Sequence, residues 1–207
     1  MIHTLRLTDQ RKSHVMQELL TKALSTALEN HISLWRTRRE TLVWLVIAII
    51  RTGTVGLWRL AGHIDTGAQT LSVHRRFEWF FQHIRLDDGC IARLIVDIMG
   101  LSGKPWHLAL DRTNWKFGRR HVNILMLGIV HGKVCIPLFW VLLGKVGNSN
   151  ARERTELIAR LCEVFPEQPV ASLSGDREFI GERWMNWLHE RGIPFVLRLK
   201  ENIYVWN

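Results

Sequence analysis

Cysteine is scarce in this chain: 207 residues include three, Cys90, Cys135 and Cys162. The odd number and the lack of any CxxC spacing exclude a disulfide framework and a cysteine zinc site. Buried free thiols in a reducing compartment are expected instead. Long apolar runs are also missing. The most apolar stretch, Leu42 to Ile50, is bracketed by Arg38, Arg39, Glu40 and Arg51, and falls well short of the about 20 residues that a membrane span needs. It reads as a buried helix. No basic-then-apolar leader opens the chain, so a cytoplasmic location without a membrane partner is expected. Ten histidines form no His-Glu-x-x-His run. A phosphate loop, a Gly-x-Ser-x-Gly elbow, internal repeats and low-complexity linkers are absent too.

What is present is a core and a charge. The chain is 47% apolar, 23% charged and carries ten tryptophans, enough to bury a real interior and to exclude disorder. Its formal net charge is +9. Residues 1–104 contribute +5 (14 basic, 9 acidic) and residues 105–207 contribute +4 (14 basic, 10 acidic). An excess spread over both halves suits a polyanion along the whole molecule.

The pattern changes near residue 103, which divides the chain into a helical region, 1–103, and a second region, 104–207. In the first, Thr8 or Asp9 caps a helix over about 10–30, with Val15, Leu19, Leu20, Ala23, Leu24 and Ala27 at three- and four-residue spacings. A second helix covers about 38–51, and the Arg36, Arg38, Arg39 cluster reads as its solvated start. A third, over 54–61, ends at Gly62. Thr70 or Ser72 opens a basic-aromatic helix, and a last one closes at Gly100. The third and fourth suggest a helix-turn-helix-like module. Arg75 and Arg76 would face DNA, while Phe77, Phe80 and Phe81 pack inward.

The second region begins with strands. Strand one is 106–111. Strands two (122–130) and three (134–143) are joined by a tight turn at His131-Gly132-Lys133. Asn150 and Glu153 form a capping-box signal for a helix that buries Leu157, Ile158, Leu161, Val164 and Phe165. Strand four ends at Asp176. A helix over about 180–191 stops at Gly192, and strand five runs from Ile193 to Leu199, apolar on both faces as if covered on both. The order β-β-β-α-β-α-β is the ribonuclease H-like arrangement, a mixed five-stranded sheet in an α+β or α/β fold behind an N-terminal helical bundle. In that topology strand four returns parallel to strand one.

Asp111 and Asp176, 65 residues apart in sequence, each end an apolar strand. If the fold joins the tips, two carboxylates can share a hard divalent cation. Gly175 would leave room beside the second carboxylate. His107 shares a strand face with Asp111 and is expected to be buried and hydrogen-bonded. Trp115, just past Asp111, reads either as a packing residue or as a platform for an extruded base. Arg112 and Arg177, each beside an aspartate, either hold DNA phosphate or tune the neighbouring charge. Glu178 reads as a solvated residue and Glu201 as a strand-end charge.

The stretches Leu110-Asp111-Arg112-Thr113-Asn114-Trp115, Asn123-Ile124-Leu125 and Gly175-Asp176-Arg177-Glu178-Phe179 carry a resemblance. It continues through Trp184, Leu188, Gly192-Ile193-Pro194-Phe195 and Arg198-Leu199-Lys200. Over about 106–202 the chain resembles the bacterial insertion-sequence transposases of the DDE type, the insertion sequence four family with its Tyr-Arg-Glu-Lys signature. The resemblance implies that Asp111 and Asp176 are the first two acidic residues of the triad and ligands of Mg²⁺ or Mn²⁺. It implies double-stranded DNA partners, at transposon ends and target, and a homodimer. The family's third glutamate lies beyond strand five. Tyr204 cannot begin its signature, because Asn207 holds the arginine position. The chain therefore reads as a C-terminally truncated transposase, weakly active or inactive. Two other readings stand beside it. One is a non-catalytic DNA-binding fragment that inhibits the full-length enzyme; the other is a ribonuclease H-like host nuclease, which the helical region argues against.

Overall fold

The computed structural model describes residues 18–199, and for Phe117 the backbone only. The expected cap at Thr8 or Asp9, and Lys200, Glu201, Tyr204 and Asn207, lie outside the described residues. The chain divides into two compact units, residues up to Leu94 and residues from Ile95.

In the first unit the described part of helix α1 covers 18–31. Helices α2 (Arg36–Thr52), α3 (Leu57–Ala61), α4 (Thr70–His83) and α5 (Asp88–Ile98) follow, and α5 crosses the division. Helix α2 stops at Gly53, whose φ of 62° is a left-handed cap that a side chain would strain. Leu45 and Ala48 of α2, Leu60 and Ala61 of α3, and Val73, Phe77 and Phe80 of α4 form one buried cluster. A second joins Leu28, Ile32, Val43, Ile47 and Leu94. The stripe on α4 is narrower than expected. Val73, Phe77 and Phe80 fill it, and Phe81, at its margin, is 55% exposed.

The second unit holds β1 (Trp106–Phe117), β2 (Arg120–His131), β3 (Val134–Leu143), α6 (Ala151–Val164), β4 (Val170–Gly175), a 3₁₀ turn (Arg177–Phe179), α7 (Glu182–Glu190) and β5 (Phe195–Leu197). The strands form one sheet in the order β3-β2-β1-β4-β5. β1, β2 and β3 are an antiparallel meander, and β4 lies parallel to β1. This is the expected mixed, ribonuclease H-like topology. The Asn150 side chain accepts from the Glu153 amide while Glu153 reaches back to the Asn150 amide, so the predicted capping box opens α6.

Alternation decides which face is covered. Leu108 and Leu110 of β1, Leu125, Leu127 and Ile129 of β2, Phe139 of β3 and Leu173 of β4 point one way and are all buried. Leu157, Ile158 and Leu161 of α6 and Trp184 and Leu188 of α7 are buried on the same side of the unit. The other face is open. Trp140, Leu142 and Val196 on it are 44%, 66% and 69% exposed. The expectation that β5 is covered on both faces therefore fails: Val196 looks out, and the strand is three residues long. The cysteines are free, but none is fully buried: Cys90 and Cys162 are half-buried, and Cys135 is exposed on the outermost strand, β3.

Candidate functional site

The parallel pairing of β1 with β4 ends at Leu110 opposite Gly175. Asp111 and Asp176 are the next residues on each strand. Extended backbone at Asp176 (φ −76°, ψ 171°) carries the register one step further. Partners in a parallel ladder point to the same face, and neighbouring strands lie about 4.8 Å apart. The two carboxylates thus flank one another on the open face, across from the buried Leu110. Both are exposed. Each is held in the same way: Asp111 Oδ1 accepts from the Arg112 amide at 2.7 Å, and Asp176 Oδ1 accepts from the Arg177 amide at 2.7 Å. No further hydrogen bond from the described residues engages Oδ2 of either.

Gly175 does something other than expected. It points to the covered face, where a Cβ would stand 3.0 Å from Leu197 Cδ2 and from Phe179 Cδ2. The missing side chain makes space for Phe179 under the turn, and Asp176 points the other way. His107 shares the face of Asp111, as alternation requires, and its Nδ1 lies 2.8 Å from Ser172 Oγ. It is exposed, not buried, and four residues along a strand place it about 13 Å from Asp111.

Arg112 points to the covered face, and there the sequence reading missed a network. Its Nε is 2.9 Å and 3.0 Å from the two Glu178 carboxylate oxygens, and its Nη2 is 2.8 Å from Oε2. Its Nη1 and Nη2 also donate to Asn123 Oδ1 and Asn148 Oδ1. The ion pair is largely sheltered, with 16% and 19% of the two side chains exposed. Glu178 is therefore not the solvated residue expected. Its hydrogen bonds and charge raise the Arg112 pKa, against the opposing effect of burial. Buried Asn123 donates to Lys145 O and Gly147 O. Arg154, 5% exposed, donates from Nε to Ser149 Oγ and from Nη2 to Ser149 O and Glu178 O, and lies 5.2 Å over the Phe179 ring. Burial lowers its pKa, opposed by the charges of Glu178 and Glu153. Together these contacts tie β1, β2, the β3–α6 loop and the turn after β4. The residue after Asp111 thus grips the residue two past Asp176.

Arg177 is exposed, and no hydrogen bond or ion pair from the described residues engages its guanidinium. Trp115 is 54% exposed. It sits on strand β1, not in a loop, because β1 continues six residues past Asp111. Within the first unit, Arg75 is exposed on α4. Arg76 faces the other way and binds the unit together. Its Nε donates to Thr41 Oγ1 at 2.6 Å, its Nη2 donates to Thr37 O at 2.5 Å, and its guanidinium lies 4.3 Å from the centre of the Trp44 ring. The structure thus separates two arginines that the sequence reading had grouped as DNA-facing. The N-terminal cluster of α2 is likewise partnered: Arg36 with Glu40, Arg39 with Glu29, and Arg38 with the Trp79 ring.

Among the described residues no group of three or more His, Cys, Asp or Glu is placed to hold a metal. The donor set where the β1–β4 pairing ends is two carboxylates, hard oxygen ligands of the kind that Mg²⁺ and Mn²⁺ take. No described helix is long and apolar enough to cross a membrane.

No protein-family profile matches the chain, and no curated protein matches it. Two solved structures are similar in fold. One is an HTLV-2 integrase catalytic core domain in complex with magnesium, at 9% identity and a TM-score of 0.29, covering 46% of this chain and 63% of that one. The other is a piggyBac transposase synaptic complex with hairpin DNA, at 13% identity and a TM-score of 0.37, covering 89% of this chain and 47% of that one. The chain thus spans under two thirds of the first and about half of the second. Superpositions this loose carry no chemistry across, so the site must be argued from its own residues.

Proposed function

We propose that this chain cleaves and joins DNA strands as a DDE-type transposase of the insertion sequence four kind, with Asp111 and Asp176 as ligands of Mg²⁺ or Mn²⁺. The observation that carries the reading is the β1–β4 register, which ends one residue before both aspartates and sets them on the open face. Two exposed carboxylates, each anchored through one oxygen, leave the other oxygen for a cation. Asp111 and Asp176 would hold the ion, and when bound it would supply activation of a water or 3′-hydroxyl and charge stabilisation at the scissile phosphate. The protein's part is to hold the two carboxylates at fixed spacing, and the Arg112–Glu178 pair supports that spacing from behind the sheet. Arg75, Arg177 and Trp115 are exposed where they can meet DNA.

This reading assigns two carboxylates among the described residues, and a two-carboxylate site should bind the ion weakly. The second reading is a DNA-binding fragment that occupies transposon ends without cutting them. Mn²⁺ titration followed by electron paramagnetic resonance tests the metal site. Weak binding that Asp111→Asn or Asp176→Asn abolishes is expected, and binding indifferent to both would overturn the assignment. Incubation with end-bearing DNA and Mn²⁺ separates the two readings: slow nicks lost in Asp111→Asn favour the enzyme, and salt-sensitive binding without nicks favours the fragment.

A further inference from the structure

Strands β1 and β2 outrun the sheet. β1 leaves β4 after Leu110, and β2 leaves β3 after Asn123, yet β1 and β2 stay paired as far as Phe117 opposite Arg120. Residues 115–122 are therefore a two-stranded ribbon whose ladder joins no third strand among the described residues, standing beyond the sheet at the end where Asp111 and Asp176 lie. Its loop is two residues, and Gly118 takes φ 59° at the first of them, the position where a tight hairpin of the II′ kind calls for glycine.

The ribbon's composition is one-sided. Residues 113–122 include Lys116, Arg119 and Arg120 and no acidic residue. All three cations and His121 are exposed, and no ion pair from the described residues neutralises them. The register distributes them: Arg120 shares the face of Asp111 and Trp115, Lys116 and His121 share the opposite face, and Arg119 is at the loop. The same stretch also holds Trp115, Phe117 and Val122, with Trp115 and Val122 opposite one another on the face of Arg120, so charge rather than polarity distinguishes it. It carries positive charge on both faces and at its end.

We propose that this β1–β2 ribbon enters the major groove of duplex DNA beside the Asp111–Asp176 pair, its cations meeting the phosphates of both flanking strands. The dimensions agree. A ribbon about 10 Å thick fits a groove about 12 Å wide. The seven residues from Asp111 to Gly118 reach about 23 Å, or roughly seven base-pair steps at about 3.4 Å each. The inference rests on the DNA-processing reading and adds to it the groove that is entered and the residues that grip it.

The test measures duplex binding by the whole chain, by fluorescence anisotropy, across a salt series. The variant replaces Lys116, Arg119 and Arg120 together by Gln. These residues are exposed, so the variant should fold, and its near-ultraviolet dichroism should match the parent's. The slope of log K against log salt should flatten by about 2 to 3, at about 0.9 for each phosphate no longer neutralised, and affinity at about 0.1 M salt should fall at least tenfold. A duplex whose major groove is filled by glucosylated hydroxymethylcytosine should bind the parent more weakly, and the variant no differently from plain duplex. Duplex binding by the parent with an unchanged slope in the variant would overturn the ribbon assignment and leave the broader reading standing. Equal binding of plain and groove-filled duplex, or a preference for single strands, would overturn the groove. Failure of the parent to bind any duplex would overturn both.

Discussion

The two faces of the sheet hold the same strands and do opposite work. On the covered face Leu110, Leu127, Phe139 and Leu173 are at most 3% exposed, and Arg112 and Glu178 are locked together. On the open face Asp111 and Asp176 stand in solvent, and Leu142 and Val196 are two-thirds exposed. Consecutive residues of β1 differ sharply: Asp111 is exposed, while Arg112, pointing the other way, is held by Glu178. Packing is concentrated on the covered side and the proposed metal ligands on the open one, so substitutions on the two faces should separate cleanly.

The largest effect should come from the covered face. Leu127→Ala empties a fully buried position and should cost about 3 kcal/mol, where Leu142→Ala should cost under about 0.5 kcal/mol. Urea denaturation of both checks the contrast, and equal costs would break it. Next comes the ion pair. Arg112→Met or Glu178→Gln leaves a sheltered partner without its counter-charge and should cost about 2 kcal/mol, with the double variant costing less than the sum. Either single variant should also weaken Mn²⁺ binding. Unaltered Mn²⁺ binding would divorce the pair from the carboxylates.

Asp111→Asn sharpens the comparison from the open side. It should remove Mn²⁺ binding yet change stability by no more than about 0.5 kcal/mol, because Asp111 is exposed and surface substitutions cost little. The smallest effect concerns pH. Burial pushes the Glu153 pKa up, but the Asn150 amide and Lys145 outweigh it and bring the folded value below 4.5. A depressed carboxyl contributes stability that is full above its unfolded pKa and is lost as pH falls through the folded one. Glu153→Gln should therefore lower the melting temperature by a few degrees at pH 7, and the difference should shrink as pH falls below the usual carboxylate range.

Much of this was legible in the residue order. Strand order follows from three consecutive strands, one crossover helix and the handedness of crossovers, and Asp176 does follow the end of β4; Asp111, expected to end strand one, lies inside β1 where the pairing with β4 stops. The length of β1 was not legible. Arg112-Thr113-Asn114-Trp115 reads as a loop because both faces of that stretch are polar or wet, so no apolar alternation marks it as a strand. The available signal was Gly118, central between Trp115-Lys116-Phe117 and Arg120-His121-Val122. The Arg112–Glu178 pair joins residues 66 apart, and a contact at that separation leaves no local pattern. Arg75 and Arg76 look alike in sequence, and only the helix period, read against Phe77 and Thr41, sends one outward and the other in.

A hairpin whose ladder joins no third strand among the described residues also offers backbone donors and acceptors to any strand that drifts past, including the same hairpin on another copy. Lys116, Arg119 and Arg120 make such self-pairing repulsive at every register that brings two loops together. Such repulsion should keep the hairpin's exposed backbone from clumping, and because salt screens it, solubility should fall as salt rises.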